Sequence, residues 1–124
     1  MIQREVFSSG AAVGSAGSAT ATAHTLSMLS GIVYSVHVTY GDAPPAGTSV
    51  VIEGVNTPKQ EVLTISGNSD GWHHVMHPAS SSADGGSISN QGTLVAIHDK
   101  VQVTISSCNA GDSVSVCMLY EVIK

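Results

Sequence analysis

Histidine is the residue type most able to do chemistry in this chain. There are six: His24, His37, His73, His74, His77 and His98. The run His73-His74-Val75-Met76-His77 has the look of a metal site. On a helix, a gap of four residues puts two imidazoles on one face as a chelate. On a strand, the same gap holds His73 and His77 about 13 Å apart at ~3.3 Å per residue, and His74 points the other way. The surrounding residues are strand formers, so the spacing excludes a chelate within one strand. These histidines are expected to be polar strand or interface residues, and no metal is expected.

The other routes to catalysis are weaker still. No Gly-x-Ser-x-Gly elbow occurs; Gly14-Ser15-Ala16-Gly17 has the wrong spacing. The nine acidic residues are scattered, mostly in turns where Asp bonds its own backbone. No phosphate loop or dinucleotide glycine pattern is present. An enzyme is not expected, nor is any cofactor. Trp72, the sole tryptophan, opens a strand after Asp70-Gly71. An exposed indole there stacks on sugar; a covered one anchors a core or rim. Cys108 and Cys117 flank the last turn and share the parity of the polar residues. They form a disulfide only if the hairpin register sets them directly opposite. Free thiols are the default in a cytoplasm.

Composition bounds the elements that carry these residues. The 124 residues are only 10% charged, against about 25% for an ordinary domain, and Ser, Thr and Gly fill the gap. The net charge of -5 offers no basic footprint for nucleic acid. No apolar run approaches the ~18 residues of a membrane-spanning helix. No apolar stretch precedes Ala19-Thr20-Ala21 or Ala21-Thr22-Ala23, so these are not expected to end a secretory leader. The expected compartment is a cytoplasm, or a particle assembled there. A surface so poor in charge suits a domain largely covered by other protein.

The pattern along the chain is β throughout. Val and Ile greatly outnumber Leu, a bias that favours strands. From Ile32 to Tyr40 every even position is apolar or aromatic, which puts Tyr34 and Tyr40 on the inward face. Further strands are predicted over 49–55, 61–66, 72–77, 93–97, 101–106 and 114–122. Gly, Pro, Asn and Asp punctuate the gaps. About seven or eight strands at this spacing predict an antiparallel β-sandwich or jelly roll over residues 24–124. Residues 8–23 are almost entirely Ser, Gly, Ala and Thr, too little apolar surface to offset ordering entropy. Residues 1–23 are therefore predicted to be an extended N-terminal arm pinned by neighbouring chains, with Ile2, Val6, Phe7 and Val13 as its anchors.

Four pieces of the chain carry a likeness to a known group. They are Gly31-Ile32-Val33-Tyr34-Ser35-Val36-His37-Val38-Thr39-Tyr40; Gly47-Thr48-Ser49-Val50-Val51-Ile52; Val62 to Trp72, preceded by Pro58; and Asp99 to Ile105, closed by Gly111-Asp112-Ser113-Val114-Ser115-Val116. In these the sequence resembles small all-β virion proteins of tailed bacteriophages. The resemblance implies a capsid decoration or cement protein on the surface of the virion, made in the host cytoplasm. It implies the major capsid protein and copies of the chain itself, as a homotrimer, for partners. Trp72, His73 and His77 are then candidate interface residues. The other reading is a receptor- or carbohydrate-binding module of a tail, baseplate or fibre, which needs exposed aromatics.

Overall fold

The computed structural model describes residues 1–75, 77–80 and 87–122. They form eleven strands: β1 (Ile2–Ser8), β2 (Ala19–His24), β3 (Leu29–Gly41), β4 (Ser49–Gly54), β5 (Glu61–Ser66), β6 (Gly71–His74), β7 (His77–Ser80), β8 (Ser87–Thr93), β9 (Val95–Asp99), β10 (Val101–Cys108) and β11 (Ser113–Val122). No helix occurs among the described residues. The protein is an antiparallel β-sandwich. One sheet runs β1-β11-β3-β6, with β9 also paired to β3; the other runs β2-β10-β4-β5. β7 and β8 pair with each other.

The wrapping follows from which strands pair. The first strand pairs with the last, the second with the penultimate, β3 with β6 and β9, and β4 with β5. Thus strands far apart in the chain lie side by side, and β11 and β10 in turn pair with β3 and β4 to complete the two sheets. The core lies between the sheets and is mostly β-branched. Val33, Val36, Val38, Val50, Ile52, Val103, Ile105, Val114, Val116 and Met118 are fully buried. Each such side chain contributes roughly 1.5–3 kcal/mol by leaving water.

Residues 1–23 do not form a separate arm. β1 pairs with β11 from Ile2 opposite Glu121 to Ser8 opposite Ser115. β2 pairs with β10, and Ala12 and Ala19 lie in the core. The turn between them uses the positive φ of Gly14 and Gly17, and Asn109 Oδ1 accepts from Gly17 N–H. The physical reason is the backbone. Main-chain ladders hold both strands and supply what side-chain burial does not, and in β2 the small Ala and Thr side chains let the strand lie close against β10.

Two bulges reset the sequence parity. Leu119 opposes Ser35 and Tyr120 opposes Val33, so Tyr34 is the extra residue on β3. Before it the odd residues Leu29, Gly31 and Val33 are buried; after it the even residues Val36 and Val38 are. Tyr34 therefore turns outward, contrary to the alternation, whereas Tyr40 packs against the core as predicted. In β10 the shift between Ile105 and Cys108 includes Ser107 at φ 56°. That shift turns Cys108 into the core, where its thiol donates to Ala19 O. Cys117 lies on the outer side of the other sheet, opposite Val6 and His37. The two cysteines are not hairpin neighbours, and both are free thiols.

Candidate interaction face

The two outer faces of the sandwich differ in kind. On the β2-β10-β4-β5 sheet, the outward residues include Thr20, Thr22, His24, Gln102, Thr104, Glu53 and Thr64. They are tied by polar contacts: Thr22 to Thr104 hydroxyls at 3.0 Å, Gln102 Nε2 to Glu53 Oε1 at 3.0 Å, and Thr64 Oγ1 to Glu61 Oε1 at 2.9 Å. Lys59 adds an ion pair to Glu53 at 3.6 Å. This face is built for water.

The outer face of the β1-β11-β3-β6 sheet is built of other residues. Ile2 and Val6 on β1 are 62% and 64% exposed, and Trp72 on β6 is 50% exposed. Register aligns Val6, Cys117, His37 and Trp72 in one row across four strands. The adjacent row is Arg4, Leu119, Ser35 and His74. The Trp72 and His37 rings meet edge to face, 5.0 Å apart at 67°. Ile32 opposes Ala96 at the other end of β3.

The histidines of this face are held by hydroxyls. His74 Nδ1 is hydrogen-bonded to Ser35 Oγ at 3.1 Å, His98 Nδ1 to Ser30 Oγ at 3.2 Å, and His37 Nδ1 to Thr39 Oγ1 at 3.3 Å. His73 sits on the inward side of the β6 edge, opposite Val36. His77 begins β7 opposite Thr93, and its side chain lies outside the described residues. No group of three or more His, Cys, Asp or Glu among the described residues is arranged to hold a metal ion.

Of the four residues expected to anchor the arm, Ile2 and Val6 lie on this face. Phe7 packs toward the core, and Val13 is exposed on the turn after β1. Leu119 and Ile32 belong to the face without having been singled out, and Tyr34 belongs to it against the inward placement the alternation gave. Alternation along β11 already turns Leu119 outward, whereas Ile32 and Tyr34 face outward only because of the bulge at Tyr34.

A shallow cleft of about 450 Å³ opens beside Tyr40, between the loops holding Asp42, Pro44, Asn68 and Asp70. Its polar groups serve the loops themselves. Asp70 Oδ1 accepts from Tyr40 N–H, and Asn68 Nδ2 donates to Pro44 O.

Four acidic protons are held tightly. The bond from Tyr34 OH to Glu121 Oε2, 2.9 Å long, raises the Tyr34 pKa above its ordinary 10.0. Burial, then the charges of Asp70 and Glu5 respectively, raises Tyr40 and Tyr120. Burial and then Asp112 raise Cys108 above 9.0. A folded-state pKa above the unfolded one gives stability that is complete below the unfolded value and lost as pH rises through the folded one. The melting temperature is expected to fall as pH rises through the raised values, starting above about 9 for Cys108 and above about 10 for the tyrosines. Melts across an alkaline pH series, followed by circular dichroism, check this; an unchanged midpoint up to the tyrosine range contradicts it.

No family model, curated protein or solved structure matches this chain.

Proposed function

We propose that this protein is a non-catalytic structural component of a virion, a capsid decoration or cement protein. It binds the major capsid protein and further copies of itself on the head surface, as a homotrimer. The observation that carries the reading is the contrast between the two outer faces. One sheet presents a hydroxyl-rich surface with a satisfied polar network. The other presents Ile2, Val6 and Trp72 in the open. An exposed apolar patch with a polar surround marks a site of protein contact. The sparse charge of the whole chain fits a surface meant to be covered. Many copies on a closed lattice then bind far more firmly than one contact allows.

The experiment is a count of copies in purified particles by quantitative mass spectrometry. Hundreds of copies per head support decoration. A handful to a few dozen moves the protein to the tail or neck, and none overturns the reading.

One observation favours a second reading, a carbohydrate-binding module of a tail, baseplate or fibre. Trp72 is half-exposed with an imidazole against its ring, an arrangement that offers a flat aromatic surface to a sugar. A specific glycan-array signal lost in Trp72→Ala supports it; a blank array discards it.

A further inference from the structure

We infer that the apolar face of the β1-β11-β3-β6 sheet is where copies of this chain meet one another. The inference rests on the part of the reading above that has copies bind one another, puts a face-to-face pair in place of a trimer, and names the occupant of that face: a second copy of the same chain. Three features of the molecule support it.

The first is shape. The strands β1, β11, β3, β6 and β9, at about 4.8 Å spacing and ~3.3 Å per residue, together make a face of ~600 Å². Two such faces together bury about 1,200 Å², the lower bound for a specific stable interface. A sheet face is best covered by another sheet packed about 10 Å away with nearly aligned strands. A second copy brings that surface with it.

The second is charge. The chain carries a net charge of -5, so copies repel each other over most of their surfaces. This face is different. Its formal charges among the described residues are Arg4 and Glu121, one of each sign, on adjacent strands. Among the described residues Arg4 forms no ion pair. Glu121 takes one bond from Tyr34 and keeps acceptor capacity on its carboxylate. Two copies face to face can set Arg4 of each against Glu121 of the other. The face is complementary to itself, as contact between identical surfaces requires.

The third is continuity. The apolar residues are not scattered. Val6, Cys117 and Trp72 lie in one row with the His37 imidazole packed against the indole, and Leu119 lies in the next. The row ends at the edge strand β1, and among the described residues Val6 and Trp72 at its two ends stay exposed.

The test uses the full chain in solution. Sedimentation velocity over a wide concentration range gives the mass, and Trp72, the sole tryptophan, reports cover at the face. The wild type is expected to form dimers as concentration rises, because a self-complementary face closes on two copies. Its tryptophan emission then moves to shorter wavelength, and modification of the Cys117 thiol slows. Val6→Lys, at a position 64% exposed, is expected to fold normally and to raise the self-dissociation constant at least about tenfold. Arg4→Glu weakens assembly, and combining it with Glu121→Arg restores it. Thr104→Lys, on the hydroxyl-rich face, leaves the mass unchanged. A wild type that stays monomeric at every concentration overturns the inference. So does a Thr104→Lys variant that dissociates while Val6→Lys does not. Either result leaves the copy count in purified particles standing as a separate measurement.

Discussion

A chain lacking residues 1–23 is expected to lose cooperative folding altogether. The deletion strips one strand from each sheet. β11 loses its ladder to β1 along seven residue pairs, and β10 loses its ladder to β2. Ala12 and Ala19 leave the core, and Phe7 leaves its packing against it. The buried Val114 N–H loses Ser9 Oγ as its acceptor, and the Cys108 thiol loses Ala19 O. About ten main-chain hydrogen bonds at ~1 kcal/mol each match the whole stability of an ordinary domain, ~5–15 kcal/mol. A deletion of residues 1–8 alone removes only β1 and is expected to leave a weakened but cooperative fold. Thermal melts and the dispersion of amide resonances distinguish the two. A truncated 24–124 chain that melts sharply near the wild-type midpoint would return residues 1–23 to the status of a detachable arm.

The contrast between that expectation and a composition-based reading shows what side chains alone can convey. Strands β3, β4, β5, β9, β10 and β11 are legible because Val and Ile alternate with Ser, Thr and His, and Gly, Pro and Asp end each run. The segment from Ser8 to Ala23 is illegible because its energy comes from main-chain bonds, which hydrophobicity does not encode. Bulges are the second blind spot. Tyr34 is itself large and partly apolar, so the alternation passes through it without a visible break. Ser106-Ser107-Cys108 are all small, and nothing there marks which one is extra.

The interaction face was hidden for the same reason. Trp72 and Val6 were each noticeable as residues, but 66 positions separate them in the chain. Only the register of β1, β11, β3 and β6 brings them into one row. The low charge of the chain pointed to covered surface. The fold assigns the most exposed apolar strand residues, Ile2, Val6 and Trp72, to one sheet, among histidines and hydroxyls. Binary patterning would place polar residues outward on both sheets. The departure is largest on the sheet that exposes Ile2, Val6 and Trp72, and such departures concentrate at functional surfaces.

Asp99 links the two sheets, and its removal has the second large expected effect. The side chain is 8% exposed at the end of β9. Its Oδ2 accepts from Asn56 N–H at 2.8 Å; its Oδ1 accepts from Asn56 Nδ2 and from Lys100 N–H, both at 2.7 Å. One carboxylate thus ties the loop after β4, in the second sheet, to the turn after β9, in the first. Val55 N–H donating to Lys100 O at 3.0 Å reinforces the same joint. Gly54 lets the carboxylate come this close, since a Cβ there would lie 2.8 Å from Asp99 Oδ2. Asp99→Ala leaves three donors without their acceptor, two of them main-chain N–H groups. The cost is expected to be about 2–4 kcal/mol, given ~1.5–3 kcal/mol for a hydrogen bond to a charged group and rescue of the donors of exposed Asn56 and Lys100 by water. For a chain of this size that lowers the melting temperature by roughly 6–16 °C, at about 3–4 °C per kcal/mol. Gly54→Ala is expected to destabilise by crowding the same oxygen. Its penalty should shrink in the Asp99→Ala background, because the atom it strikes is gone. A double-mutant cycle by denaturant melts measures that coupling. Simple additivity of the two substitutions, or an Asp99→Ala variant that melts with the wild type, would show that the joint does not depend on this carboxylate.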